Sequence, residues 1–429
     1  MINFRTNFLT RRTGQHYAYV VAFVIFFALL VSAGLQSMPS VLIVPLEKSF
    51  GWSRATISLA AAIGLFFYGI VGPFSAAAME RFGLRRVLIT ALILMSASNI
   101  ASAYMTETWQ LMITWGLLSG TASGSIALVL GATVVNRWFV KRRGFMMGLL
   151  TASTATGNLV FLPILAGLAA SGSWTRVVWV VAIASLAMVP LVWLLVPEHP
   201  ASLGLTPYGA EPGTPLREPA PANGMVAATL GVLRHAMGTR VFWLLFATFF
   251  ICGFTTNGLV GTHLISLCGD HGIAEIQAAG LLAAMGIFDL FGTTASGWLT
   301  DRYDPRKLLF VYYALRGISL IYLPYSDFSL YSLSIFAIFF GLDWIATVPP
   351  TVRLTNEAFG ERDAPVIFGW VVAGHQIGAA CAAWMAGYVR QSAGSYSMAF
   401  VVAGATGLIA AFIALSINRQ PRIAVAKPA

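Results

Sequence analysis

Charge is scarce in this chain. Asp, Glu, Lys and Arg make up 10% of its 429 residues, while 58% are hydrophobic. A soluble domain carries about 25% charged residues. The composition here cannot clothe a globular surface in water, so lipid is the outer solvent it implies. The apolar runs are too long and too many for a soluble protein with an unusually greasy core. Acids are scarcer than bases, 16 against 26, for a net charge of +10. A nucleic-acid-binding chain gathers its Lys and Arg on one soluble face. Here they sit in short segments between apolar runs, which is how positive-inside bias looks, and no nucleic-acid partner is expected.

Cysteine is nearly absent. Cys252, Cys268 and Cys381 lie inside apolar runs with no CxxC spacing, which argues against a disulfide framework or a zinc site. They read as small packing residues. They share no ligand spacing with His263 or His375, so no metal and no cofactor are expected. A cleavable leader is also missing from the pattern. Met1 to His16 is short and basic, and the run Tyr17–Val44 is too long for a signal h-region and lacks a small-residue cleavage site. It reads as an uncleaved first span.

What is present is a series of apolar windows. A spanning helix needs about 20 mostly apolar residues, and twelve windows qualify. Spans 1 to 6 fall near 17–44, 55–79, 87–105, 109–134, 145–169 and 175–196. Spans 7 to 12 fall near 241–267, 274–300, 308–325, 329–353, 364–389 and 396–417. Basic residues collect on one side: Arg5, Arg11, Arg12; Arg81, Arg85, Arg86; Arg137, Lys141, Arg142, Arg143; Arg217, Arg234, Arg240; Arg302, Arg306, Lys307; Arg362; and Arg419, Arg422, Lys427. The other side holds Lys48, Arg54, Arg176 and Arg390. Both termini are therefore expected in the cytoplasm, and the brief loops suit a bacterial inner membrane. Arg316 and Arg353 belong to neither set.

The longest polar segment, Pro197 to Arg240, carries seven prolines between Pro197 and Pro221. Such density prevents regular helix, and the segment reads as a linker, flexible around Glu211 to Ala222. Met225 to Gly238 is mildly amphipathic, with Arg234 and His235 near its end. It fits a helix on the membrane surface or a plain continuation of the linker. The expected organisation is a six-helix bundle over 1–196, a cytoplasmic linker over 197–240, and a second six-helix bundle with a short tail over 241–429.

A repeat supports the division. Glu80-Arg81-Phe82-Gly83-Leu84-Arg85-Arg86 follows span 2, and Asp301-Arg302-Tyr303-Asp304-Pro305-Arg306-Lys307 follows span 8. Asn136, Phe139 and Arg142 answer Asn356, Phe359 and Arg362. Carboxylates and guanidiniums at helix ends can form a latch that breaks and remakes. The candidate gating set is Glu80, Arg81, Arg85, Arg86, Asp301, Arg302, Arg306, Lys307, Arg142 and Arg362. Simple positive-inside anchoring is the blander alternative.

This loop resembles the signature loop of the major facilitator superfamily, with Glu80 where Asp is common and Ala77 where glycine is expected. The resemblance implies an all-α membrane fold, two six-helix bundles related by a pseudo-two-fold, joined by a long cytoplasmic loop. Three further stretches resemble the monocarboxylate and oxalate–formate antiporter-like branch. These are Gly51-Trp52-Ser53-Arg54; Arg137-Trp138-Phe139 with Lys141-Arg142-Arg143-Gly144; and Leu203-Gly204-Leu205-Thr206-Pro207-Tyr208-Gly209. The branch implies a secondary transporter of a small monocarboxylate or similar organic anion, working by alternating access, with protons as the candidate coupling ion. Cavity cations expected by that resemblance are missing. Ser40 follows Met38-Pro39, Thr293 stands four residues after Asp289, and His375 occupies the region where a lysine is usual on span 11.

The two halves differ in polarity. The N-half spans hold no charge in their interiors; Gln36, Tyr68, Asn99, Asn158 and hydroxyls are their polar content. Gly116, Gly120, Gly124 and Gly131 mark span 4 for close packing. The C-half buries Asp289, Arg316, Asp343 and His375, with Asn257 and His263 on span 7. At 1.5 Å per residue the four lie roughly 14–18 Å from the cytoplasmic ends of their spans, near the midplane of a core whose half-thickness is about 15 Å. A charge there costs about 2.5–3.5 kcal/mol on insertion scales, so each needs a partner or water. Arg316 is expected to pair with Asp289 or Asp343. The other acid and His375 are then candidates for proton coupling or anion contact, with a purely structural network as the alternative. Val348-Pro349-Pro350 should bend span 10.

A monomeric transporter of a small solute in a lipid bilayer is the leading expectation. A facilitator exporting amphipathic compounds or moving another solute is the runner-up. A receptor or membrane enzyme is weaker, because no nucleophile–base or His–acid motif is visible.

Overall fold

The computed structural model describes residues 16–126, 128–171, 173–211 and 225–417, without the side chains of Ala76, Leu128, Ala155, Met225, Val226, Ala228, Glu361 and Arg362. The proline-rich stretch from 212 on, and the basic groups at Arg5, Arg11, Arg12, Arg217, Arg419, Arg422 and Lys427, lie outside these residues.

Twelve helices are long and apolar enough to cross a membrane. Spans 1 to 6 are Ala18–Phe50, Arg54–Phe82, Leu84–Ser102, Thr108–Trp138, Arg143–Ala170 and Trp174–Leu195. Spans 7 to 12 are Arg240–Asp270, Glu275–Arg302, Pro305–Tyr325, Leu330–Gly360, Asp363–Ala393 and Ser397–Leu415. Most overrun the apolar windows, because helical hydrogen bonding continues into the polar flanks. Between the halves Met225–Met237 is a helix, with Ala236 buried against Val241 and Phe242 of span 7. The start of the linker is also ordered. Tyr208 donates its amide to the Trp138 carbonyl at 2.8 Å and accepts from Val140 at 2.9 Å, which pins this segment to the end of span 4.

Small residues bring the helices together. A Cβ added to Gly120 would lie 2.5 Å from the Gly64 carbonyl oxygen, so spans 2 and 4 touch backbone to backbone. Ser98 and Ser119 hydroxyls meet at 2.7 Å beside this contact. The two bundles meet through span 2 on span 11, span 5 on span 8, and the far end of span 7 on span 1.

Three spans are irregular. Met112–Ser119 in span 4 and Phe254–Val260 in span 7 are π-helical. Span 10 breaks into a turn over 344–347 and resumes at Val348. The bend expected at Val348-Pro349-Pro350 thus falls just before the prolines. They occupy the first turn of the resumed helix, where a missing amide hydrogen costs nothing.

Candidate functional site

The break in span 10 organises the charges of the C-half. It frees the carbonyls of Asp343 and Trp344 and the amide of Ile345, in the layer where spans 7, 8, 9 and 11 bring polar side chains. Arg316 on span 9 donates Nε to Asp343 Oδ2 at 2.8 Å. Its Nη2 donates to the carbonyls of Asp343 and of Trp344, the latter at 3.2 Å. Asp289 on span 8 accepts from the Ile345 amide at 2.8 Å and from the Thr293 hydroxyl at 2.9 Å. Gly292 makes this possible, since any side chain there would collide with the backbone of Leu342. Arg316 is 1% exposed, and both acids are buried. The cluster therefore holds two carboxyl groups and one guanidinium, a surplus of one negative charge when all are ionised.

Cys252 on span 7 joins the network. Arg316 Nη1 donates to its sulfur at 2.9 Å, and the Thr347 hydroxyl lies 3.3 Å away. His375 on span 11 stands in the neighbourhood of the same sulfur and packs its ring 5.2 Å from Phe249. Cys252 is thus a polar partner of Arg316 and Thr347, contrary to its reading as an apolar filler. No spacing in the sequence signals this. Asp343 Oδ1 and His375 Nδ1 are buried with no hydrogen-bond partner among the described residues.

The remaining candidates separate. His263 is fully buried, with Nε2 at 2.8 Å from the Ala383 carbonyl and its ring 5.2 Å from Tyr396. It ties span 7 to span 11 and stands apart from the Asp289–His375 layer. Asn257 sits half-buried in the π-helical turn of span 7. Gln36 is exposed although span 1 packs against spans 2, 5, 6 and 7. It lies within reach of the Tyr68 hydroxyl of span 2. Next to it, Ser37 donates to Asn158 at 3.0 Å.

The residues of the repeated loops find partners that the repeat itself does not specify. Adjacent residues of a helix point about 100° apart, so Glu80 and Arg81 cannot face one another. Glu80 pairs with Arg137 at 2.5 Å, fastening span 2 to span 4. Arg81 lies 5.3 Å from the Phe82 ring, the Arg85 amide donates to Glu198 at 3.3 Å, and Arg86 is exposed. In the second copy Arg302 lies over Trp298 at 4.0 Å, Arg306 pairs with Asp304 at 2.7 Å, and Lys307 is exposed. Asp301 is exposed without a hydrogen bond or ion pair among the described residues. At this end of span 8 the tie to span 10 comes from Arg353, which pairs with Glu357 of its own span at 2.9 Å and donates to the Thr300 carbonyl. Arg142 is exposed at the start of span 5 with φ +61°, and the Arg362 side chain lies outside the described residues.

Twelve spans in two bundles, with charges held at a helix break inside the protein, define a polytopic membrane protein. The chain matches the Major Facilitator Superfamily over residues 25–347 and 265–429, and it belongs to that family. It is 27% identical over 391 residues to monocarboxylate transporter 13 of Rattus norvegicus, covering 91% of this chain and 86% of that protein. It is 25% identical over 297 residues to a gallate transporter of Pseudomonas putida, covering 64% of each. Among solved structures it resembles the D-xylose-proton symporter with TM-score 0.73 at 14% identity, covering 94% of this chain and 98% of that one.

Proposed function

We propose that this protein is a secondary active transporter of small organic anions of the monocarboxylate class, working by alternating access and coupled to protons. It acts as a monomer in a bacterial inner membrane, with both termini in the cytoplasm. The observation that carries the coupling is the charge surplus of the Asp289–Arg316–Asp343 cluster. One proton taken up removes that surplus, and a charge unbalanced in the membrane interior is costly. His375 on span 11 stands beside the cluster, near Cys252. The two relatives named above are both named for carboxylate solutes. Gln36 and Tyr68 offer neutral hydrogen-bond donors, so anion contact there needs no fixed cation in the N-half. The glutamate–arginine tie Glu80–Arg137 and the Arg353 tie serve as the linker-side latches. The test is pH-dependent uptake by His375→Gln and Asp289→Asn at matched expression. Both should lose the wild-type rate or shift its pH profile. If both keep rate and profile, proton coupling and anion contact lie elsewhere, among the polar groups of spans 1, 4 and 7.

A further inference from the structure

The motif Gly51-Trp52-Ser53-Arg54 has no role in the cluster just described, yet the fold gives each residue a task. Gly51 ends span 1 in the left-handed region at φ +68°, where a side chain would be strained. Trp52 stacks on Phe50 with ring centroids 4.3 Å apart. Ser53 caps span 2 by accepting from the Thr56 amide at 3.1 Å. The product is a tight turn that sets Arg54 at the first position of span 2, on the face opposite the linker, with its side chain only 9% exposed.

Arg54 is shared between the bundles. Its Nε donates to Glu47 of span 1 at 2.8 Å, and its Nη1 donates to Asp270 of span 7 at 3.0 and 3.1 Å. Asp270 is shared in turn: Arg390 of span 11 donates to it at 2.6 and 3.2 Å. Both guanidinium carbons stand 6.0 Å from the Tyr396 ring centroid. Of the ion pairs among the described residues, Arg54–Asp270 is the one that joins the two halves. A cavity of about 430 Å³ opens beside it between spans 1 and 7, lined by Ser40, Lys48, Ser266 and Glu275 among others. Side-chain packing is therefore incomplete here. At Gly387 span 11 presses on the Arg54 backbone and Ser58, where a Cβ would not fit.

We propose that Arg54 and Asp270 are the positioning residues of a gate on the face opposite the linker, and that Glu47 and Arg390 are their resting partners when it opens. Of these ion pairs, separating the bundles at this face breaks the Arg54–Asp270 bridge alone. Arg54 keeps Glu47 within its own half, and Asp270 keeps Arg390 within its own. Neither charge is left bare in a partly dry site, which is the outcome that makes breaking an ion pair expensive. The gate can then open and close repeatedly without a trapped state. It presupposes alternating access, as proposed above, but no particular solute.

The test is pulsed EPR on the full chain in lipid nanodiscs, with spin labels at Ser49→Cys and Ser395→Cys in a Cys381→Ser background, and so reads opening rather than transport. The two labelled sites are exposed and lie on opposite halves of this face. Lipid conditions are chosen so that the parent populates both short and long distances. Asp270→Asn and Arg54→Gln cut the bridge from either side, and each should raise the long-distance population several-fold. Glu47→Gln and Arg390→Gln remove a resting partner, and each should lower it. An unchanged distribution in both Asp270→Asn and Arg54→Gln overturns the gate. A rise, or no fall, in both Glu47→Gln and Arg390→Gln overturns the resting-partner role.

Discussion

Replacing Arg316 by methionine perturbs the buried network most sharply. The side chain is 1% exposed and serves Asp343, two backbone carbonyls and the Cys252 sulfur at once. Methionine fills much of the volume but supplies no donor. With all groups ionised the cluster passes from a charge of −1 to −2, with both acids still buried. Removing one partner of a buried ion pair costs about 3–5 kcal/mol, and Arg316→Met should reach that range. Asp343→Leu moves the charge to zero, and Asp289 stays close enough to interact with Arg316. Its cost should be that of the lost charged hydrogen bonds, about 1.5–3 kcal/mol. Arg316→Met combined with Asp343→Leu restores −1 and should cost less than the sum of the singles by more than about 1 kcal/mol. Unfolding of the full chain in mixed lipid–detergent micelles reads all three. The reasoning is refuted if Arg316→Met costs no more than Asp343→Leu, or if the double variant is additive.

Two other outcomes are expected. Gly120→Val should destabilise by about 1–3 kcal/mol through overpacking, because the Gly64 backbone lies 2.5 Å from the added Cβ; Gly131→Ala, whose nearest neighbour is at 3.6 Å, should leave the same melt unchanged. Phosphatase and fluorescent-protein fusions at Gly213 and Thr106 should report opposite sides of the membrane, and a shared side would contradict the proposed orientation.

Much of the fold is legible because hydrocarbon thickness sets a length that apolar windows must meet. The Asp289, Arg316, Asp343 and His375 layer is legible for a related reason: a charge in an apolar run stands out. Which acid Arg316 takes was open, since both lie at similar depth. The break over 344–347 decides it, by offering Arg316 two carbonyls next to Asp343 and giving Asp289 an amide of its own. Cys252 carried no signal, because a buried thiol looks like any small apolar residue. The π-helical turns at Met112–Ser119 and Phe254–Val260 leave no mark in hydrophobic periodicity. The loop repeat marks the right helix ends but hides the partners. Glu80 reaches Arg137, 57 residues on, and Arg353 does the corresponding task from a position the repeat does not flag. Gly51-Trp52-Ser53-Arg54 could be noticed as a motif; its task depends on Asp270 and Arg390, which only the folded chain brings to it.

The most direct test is counterflow in proteoliposomes of the purified chain, loaded with one small organic acid and offered a labelled one outside, with and without a pH gradient across the membrane. The account predicts exchange of short-chain or aromatic monocarboxylates, with net uptake driven by a proton gradient. Absence of exchange across that class, together with movement of neutral or amphipathic cationic solutes, would contradict it.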